Sequence, residues 1–176
     1  GAGNVALGAQ ALENATTADY NTAIGLQALD TCTTGANNVA VGFYAAYNLT
    51  TGSKNVALGQ SALEGCTDGV NNTAIGYETG TADWADNNVA VGYRALKLNT
   101  ADNNTAVGSQ SLDANTTGSS NSALGYSSLT GNTTGIRNVA IGYAALSSNT
   151  AGNYNVAVGY DALGDASGSN NTAVGN

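Results

Sequence analysis

The side chains best able to do chemistry in this chain are its twelve carboxylates, because the sequence contains no histidine. The absence of histidine excludes His-based triads and His-ligated metal sites. Paired carboxylates support glycoside hydrolysis only where a cleft brings two of them together. The acids instead fall at scattered positions, among them Glu13, Asp30, Glu64, Asp113, Asp68, Asp86 and Asp102. We therefore predict no catalytic residue, no cofactor and no metal site, and we expect the protein not to be an enzyme.

Trp84 is the only tryptophan, and Asp83 and Asp86 flank it. An exposed indole beside two carboxylates would suit stacking on a sugar or on an aromatic side chain of a receptor. These three residues are the candidate receptor contacts. We favour the alternative that Trp84 packs into a gap where Gly80 replaces a leucine, since large aromatic residues usually pack. Asp83, Asp86 and Asp102 could also hold a cation loosely, although acidic turn residues are usually solvated.

A repeat positions all of these residues. The pentapeptide Asn-[Val/Thr/Ser]-Ala-[Val/Ile/Leu]-Gly occurs eleven times, and successive motif glycines are 16 or 17 residues apart. A short fixed period indicates one small unit stacked on copies of itself. We call each unit a coil, and residues at the same repeat position a column. The sequence predicts a single rod of about ten coils over residues 1–176, which we interpret as a fragment of a longer protein.

The pentapeptide has the period-2 alternation of a short β-strand. The first position is always Asn and the third is always Ala, whereas the second and fourth vary. We predict that the invariant positions face a narrow interior. Stacked Asn amides can then bond to each other and to the backbone, as in cross-β ladders. The predicted ladder comprises Asn4, Asn21, Asn38, Asn55, Asn72, Asn88, Asn104, Asn121, Asn138, Asn155 and Asn171.

The second half of each coil is regular as well. Leu stands four residues after the motif Gly in eight of ten coils, and Thr stands eight residues after it in eight of ten. We predict a bend at the motif Gly, a second short extended segment, and a polar turn. The fold class is therefore all-β, a parallel β-solenoid with one coil per 16–17-residue repeat.

Cys32 and Cys66 occupy one column but lie two coils apart. Parallel strands stack about 4.8 Å apart, so the two residues would be separated by about 9–10 Å. A disulfide needs Cα atoms within about 7 Å. We therefore predict no intrachain bridge and interpret this column, which also holds Ala15, Leu49 and Ala166, as buried and apolar.

The outward Val/Ile/Leu column would form an apolar stripe along the whole rod. A stripe of that size is not expected on a soluble monomer. Copies of the chain that share it around a symmetry axis would bury it, and three copies is the preferred number. Aromatic residues follow the motif Gly at Phe43, Tyr77, Tyr93, Tyr126, Tyr143 and Tyr160, which predicts a stacked ladder that stiffens the rod.

Composition limits the partners and the location. The formal net charge is −8 with only four cations, which argues against a nucleic-acid partner. No segment is long and apolar enough to predict membrane insertion, and no secretory signal is recognised.

The residues Asn138 to Gly142, followed by Tyr143 to Leu146, resemble the head repeat of the YadA-like trimeric autotransporter adhesins. The segments Asn121 to Gly135 and Asn138 to Gly152 are similar to the longer repeats of phage tail fibres and related bacterial surface proteins. The resemblance covers the whole chain. The coil of 16–17 residues is longer than is usual in adhesin heads, which favours the fibre-like relatives.

The resemblance implies a left-handed parallel β-roll that assembles as a homotrimer. It implies a head or shaft, at a cell surface, outside the cell or on a virion, that binds a cell-surface, matrix or glycan receptor. A different hypothesis is ice binding, which also uses stiff β-solenoids with Thr at regular spacing. Against it, Thr31 and Thr33 form the only good Thr-x-Thr pair. A carbohydrate-active enzyme is the third hypothesis, and it lacks a recognisable carboxylate cleft.

Overall fold

The computed structural model describes residues 1–165 and 167–176 and forms a β-solenoid of about ten coils. Each coil contributes one three-residue strand, and no helix occurs in the described residues. The strands are β1 (Val5–Leu7), β2 (Thr22–Ile24), β3 (Val39–Val41), β4 (Val56–Leu58), β5 (Thr73–Ile75), β6 (Val89–Val91), β7 (Thr105–Val107), β8 (Ser122–Leu124), β9 (Val139–Ile141), β10 (Val156–Val158) and β11 (Thr172–Val174).

All eleven strands form one parallel sheet in chain order. The register places motif on motif, so that Ala6 pairs with Ala23 and Ala23 pairs with Ala40. The predicted all-β parallel solenoid, with one coil per repeat, is confirmed. No helix in the described residues is long and apolar enough to cross a membrane.

The central Ala of each strand packs inside the coil, as predicted. Ala23 and Ala90 are fully buried, and the same holds with small variation for the central Ala of every strand from β2 to β10. The residues on either side of each Ala are half-buried or exposed. The interior is therefore thin, and a larger side chain at the Ala column would have to displace the other buried side chains of the core.

The predicted asparagine ladder is present. In each step the side-chain oxygen of one motif Asn accepts the backbone N–H of the next, as in Asn38 N to Asn21 Oδ1 at 2.8 Å. The amide nitrogen donates to a carbonyl in the following turn, as in Asn38 Nδ2 to Gly52 O at 2.9 Å. The nine asparagines from Asn21 to Asn155 are buried, and Asn4 and Asn171 in the end coils are half-buried. The ladder thus satisfies polar groups that would otherwise be buried without partners.

The motif glycines have two reasons to be glycine. Their φ angles lie between +129° and +139°, a region that side chains disfavour. A Cβ at Gly25 would also overlap the carbonyl group of Gly42 in the next coil. The positive φ and the close backbone approach therefore both require glycine at the predicted bend.

The predicted second extended segment is wrong. Residues two and four positions after the motif Gly have positive φ, for example Gln27 at 55° and Leu29 at 52°. The segment is accordingly a chain of turns and contains no strand. Because the chain turns in this way, the adjacent residues Ala28 and Leu29 are both fully buried. In an extended strand, neighbours would point to opposite faces.

Cys32 and Cys66 are free and buried, as predicted, with Leu49 between them in the column. Ala166, another member of this column, lies outside the described residues. The interpretation of the column as apolar is wrong for the later coils, where it holds the buried residues Asn99, Asn115, Asn132 and Asn149. These residues form a second buried ladder, with Asn132 Nδ2 donating to Asn115 Oδ1 at 2.7 Å.

We expect neither thiol to react with a thiol-specific reagent while the rod is folded. Burial raises the pKa of Cys66 to about 12 and also raises the pKa of Cys32. At pH 8 the Cys66 side chain is therefore almost wholly protonated, whereas the thiolate is the reactive form. Titration with a chromogenic disulfide should detect both thiols in urea and neither before unfolding. Fast modification of the native protein would contradict this placement.

Candidate functional site

Trp84 lies in the turn between β5 and β6, and its side chain is inside the rod. Only 1% of the residue is exposed, and its indole Nε1 donates to the carbonyl of Leu96 at 3.1 Å. A Cβ at Gly80 would overlap the indole ring, so the glycine in place of leucine creates the space that the ring fills. The packing interpretation agrees with this placement. A buried indole offers no surface on which a sugar or receptor could stack.

Asp83 and Trp84 mark a shift of the chain by one residue. Asp83 occupies the column that is filled by buried Cys66 and Asn99 in the neighbouring coils, yet Asp83 is exposed. Its Oδ1 accepts hydrogen bonds from the Thr67 N–H at 2.8 Å and from the Thr67 hydroxyl at 3.0 Å. In another coil the backbone carbonyl of Thr50 accepts the two equivalent hydrogen bonds, from the N–H and the hydroxyl of Thr33. The carboxylate of Asp83 therefore replaces a backbone carbonyl that the shift has displaced.

Asp86 and Asp102 serve the same kind of purpose in the next turn. Asp86 Oδ1 accepts the N–H of Val70 at 2.8 Å, and Asp102 Oδ1 accepts the N–H of Asp86 at 2.7 Å. Ser53 accepts the N–H of Ala36 at the same corner of an earlier coil. These contacts form a column of side-chain acceptors that joins neighbouring turns. All three candidate receptor residues are thus engaged in holding the rod together.

The described residues provide no pocket, and they bring together no group of three or more potential metal-ligating side chains. Asp83, Asp86 and Asp102 therefore do not converge on a cation site. The carboxylates of the second half-coils, such as Glu13 and Asp30, are likewise not gathered in a cleft.

A charged cluster beside the Trp84 coil was not predicted from the sequence. Lys97 Nζ lies 2.6 Å from Glu78 Oε2, and Arg94 Nη2 lies 3.1 Å from Asp113 Oδ2. The hydrogen bond from Lys97 lowers the pKa of Glu78. Burial raises the pKa of Asp113, and the neighbouring Arg94 partly offsets that effect. The partners lie 19 residues apart in each pair and meet only because the coils stack.

The Thr column is bonded within the rod. The hydroxyl of Thr16 donates to the carbonyl of Thr33 at 2.8 Å, and the hydroxyl of Thr116 donates to the carbonyl of Thr133 at 2.9 Å. An ice-binding face needs hydroxyl groups free to order water. In this column the hydroxyl hydrogens are donated to carbonyls of the next coil, along the rod axis. This arrangement does not favour ice binding.

The predicted aromatic ladder is present in part, as two separate stacks of tyrosines on the outside of the rod, whereas Phe43 stacks on Tyr44 of its own coil. Tyr143 stacks on Tyr126 with ring centroids 5.3 Å apart and on Tyr160 with centroids 5.0 Å apart. Tyr77 and Tyr93 form a shorter stack at 5.9 Å. The rings of the longer stack are about half exposed. The ladder can stiffen the rod and also offers an exposed aromatic edge.

The exposed apolar side chains gather on one surface, which we call the strand face. It consists of four columns, represented in one coil by Arg137, Val139, Ile141 and Tyr143. Of the sixteen exposed large apolar residues in the described chain, all except Leu98 belong to these columns. None of the twelve acids does. The strand face therefore collects nearly all the exposed large apolar side chains of the described residues and carries no acid along the rod.

Comparison with known proteins finds no matching family model, no similar curated protein and no similar solved structure.

Proposed function

We propose that this chain is a segment of a structural and adhesive fibre, the head or shaft of a trimeric surface adhesin or of a phage tail fibre. It lies outside the cell, at the cell surface or on a virion, and presents binding surfaces to a cell-surface, matrix or glycan receptor. The observation that carries the proposal is a rod whose described residues form no pocket and place nearly all their exposed apolar side chains on the strand face. The resemblance of its repeats to those of adhesin heads and tail fibres supports the same function.

The partner that covers the strand face is a second and third copy of this chain. Six residue steps across the face span at most about 20 Å, and ten coil steps along it span about 48 Å, which gives an upper bound of about 1,000 Å². A stable interface needs about 800 Å² per partner. A large apolar patch is also unusual on a soluble monomer. Homotrimeric assembly would bury the face, stiffen the fibre, and present three identical outer surfaces to a receptor.

We expect Ile141→Glu to convert the trimer to monomers while the coil stays folded. Ile141 is 40% exposed in the single chain, so a carboxylate there meets water in the monomer. In the trimer the same carboxylate would be buried without a partner, at a cost of about 3–5 kcal/mol per copy. Multi-angle light scattering measures the mass, and far-UV circular dichroism reports the fold.

Ser148→Glu is the matched control, because Ser148 is exposed in the same coil but lies outside the strand face. It should leave the trimer intact. A wild-type chain that is monomeric at micromolar concentration would overturn the assembly part of the proposal.

The adhesive part is tested by binding of labelled protein to arrays of matrix proteins and glycans. Three linked sites bind a dense surface about 10²–10⁴-fold more tightly than one, provided that all can engage together. We expect the wild-type chain to be retained and Ile141→Glu to wash off the same spots. Equal retention of both proteins, or retention of neither, would contradict adhesion through a trimer.

A further inference from the structure

The two edges of the strand face differ in chemistry. One edge, the ladder edge, is the column that follows the motif Gly and holds the stacked rings of Tyr126, Tyr143 and Tyr160. The other, the polar edge, is the column that precedes the motif Asn. It carries Lys54 and Arg137, the only charged residues of the strand face, together with several asparagines and two tyrosines.

The polar edge is exposed in every described coil, so its side chains are available to a partner. Arg137 shows what these side chains favour. Its guanidinium lies over the ring of Tyr154, 5.4 Å from the centroid, and also donates a hydrogen bond to the Tyr154 hydroxyl. Guanidinium groups bind aromatic faces through the ring quadrupole. The polar edge therefore carries groups that fit an aromatic surface.

The proposed assembly brings these two edges together. When parallel rods pack face to face around an axis along their length, the left edge of one face meets the right edge of the next. Residues at the same height then become neighbours. We infer that the ladder edge of each copy docks against the polar edge of the adjacent copy, so that Arg137 of one copy meets Tyr143 of the next. This inference rests on the proposed homotrimer and identifies its seam.

The pairs that this arrangement creates are compatible along the rod. Asn71 would meet Tyr77, and the amide of the asparagine could hydrogen-bond to the phenol of the tyrosine. The coil that follows repeats this pairing. Tyr154 would meet Tyr160, an aromatic pair. No pair brings two like charges together, because neither edge contains an acid and only the polar edge contains cations. An antiparallel dimer would instead pair the ladder edge with itself and the polar edge, with its cations, with itself.

Cysteine cross-linking tests the seam directly. The double variant Arg137→Cys/Tyr143→Cys is treated with a bismaleimide whose arm is about 10 Å, the usual spacing of packed sheets. A bridge between the two cysteines of one chain leaves that chain monomeric on a denaturing gel, so only cross-links between copies produce covalent dimers or trimers. We expect most chains to migrate as covalent trimers on a denaturing gel. Each single variant, and the wild-type chain with its buried Cys32 and Cys66, should remain monomeric on the gel.

Thr134→Cys/Ser148→Cys is the matched control, because both residues are exposed on the turn side of the rod. It should give no covalent trimer. Covalent dimers from Tyr143→Cys alone would overturn the seam in favour of like edges meeting. The seam would also be overturned if the chain is a trimer by light scattering but neither this double variant nor a second pair at Asn87 and Tyr93 is cross-linked. That result would leave the proposed function standing. Monomers of the wild-type chain would defeat both.

Discussion

Trp84→Ala should destabilise the rod by about 3–5 kcal/mol, the usual cost of truncating a buried tryptophan. The indole is the largest fully buried side chain among the described residues, and it fills the interior of a coil in which Gly80 replaces leucine. Its removal leaves a cavity in the buried core that the hydrogen-bonded coils above and below keep from collapsing. It also deprives the Leu96 carbonyl of the Nε1 donor. Urea unfolding followed by far-UV circular dichroism measures the loss.

Leu98→Ala is the control for this variant, since Leu98 is exposed and lies outside the strand face. Its effect should stay within about 0.5 kcal/mol. Trp84→Phe should fall between the two, because it keeps part of the ring volume and loses the hydrogen bond. If Trp84→Ala were no more harmful than Leu98→Ala, and receptor binding were lost instead, the indole would have to be a surface contact.

The fold could be predicted from the sequence because the repeat tests each position many times. A column that is always Ala, such as Ala23 and Ala40, indicates a space with room for one methyl group. A column that is always Asn, such as Asn21 and Asn38, indicates a polar side chain with a fixed set of partners. These two columns determine which side of the strand faces inward, and the spacing of the glycines determines the register.

The second half-coil escaped prediction for a physical reason. Leu29 and Leu63 adopt positive φ, although leucine has no intrinsic preference for that region. Their conformation is imposed by the stacking of whole coils, which buries the side chain and bonds the backbone on both sides. Local propensity therefore points to an extended segment, and tertiary contacts override it.

The region around Trp84 escaped prediction because it departs from the register of the repeat. The repeat columns place Asp83 in the interior and Trp84 in the outer Thr column, whereas the structure exchanges them. The shift becomes visible only when the acceptors of Thr67 are known. A similar limit applies to Glu78 and Lys97, whose contact depends on the height of adjacent coils rather than on sequence spacing.

The motif asparagines give the second large effect, and Asn104→Asp should cost about 3–5 kcal/mol at pH 7. Asn104 Nδ2 donates to Gly118 O at 2.8 Å and to Asn99 Oδ1 at 3.1 Å. A carboxylate of the same shape can still accept the Asn121 N–H. It cannot donate, however, and it would place a buried negative charge against two oxygens. The measurement is urea unfolding at several pH values.

Asn103→Asp supplies the matched control, because Asn103 is the adjacent residue, is exposed, and undergoes the same chemical change. Asp tolerates the left-handed conformation found at that position, so its cost should stay below about 0.5 kcal/mol.

Burial disfavours the ionised form of the carboxyl group introduced at position 104, so the folded state holds a proton that the unfolded state releases. The stability deficit should therefore shrink as the pH falls towards 4 and grow as the pH rises to 7. Equal stability of the two variants across that range would mean that the ladder amides are interchangeable with surface amides, and the interior position of the asparagine column would be wrong.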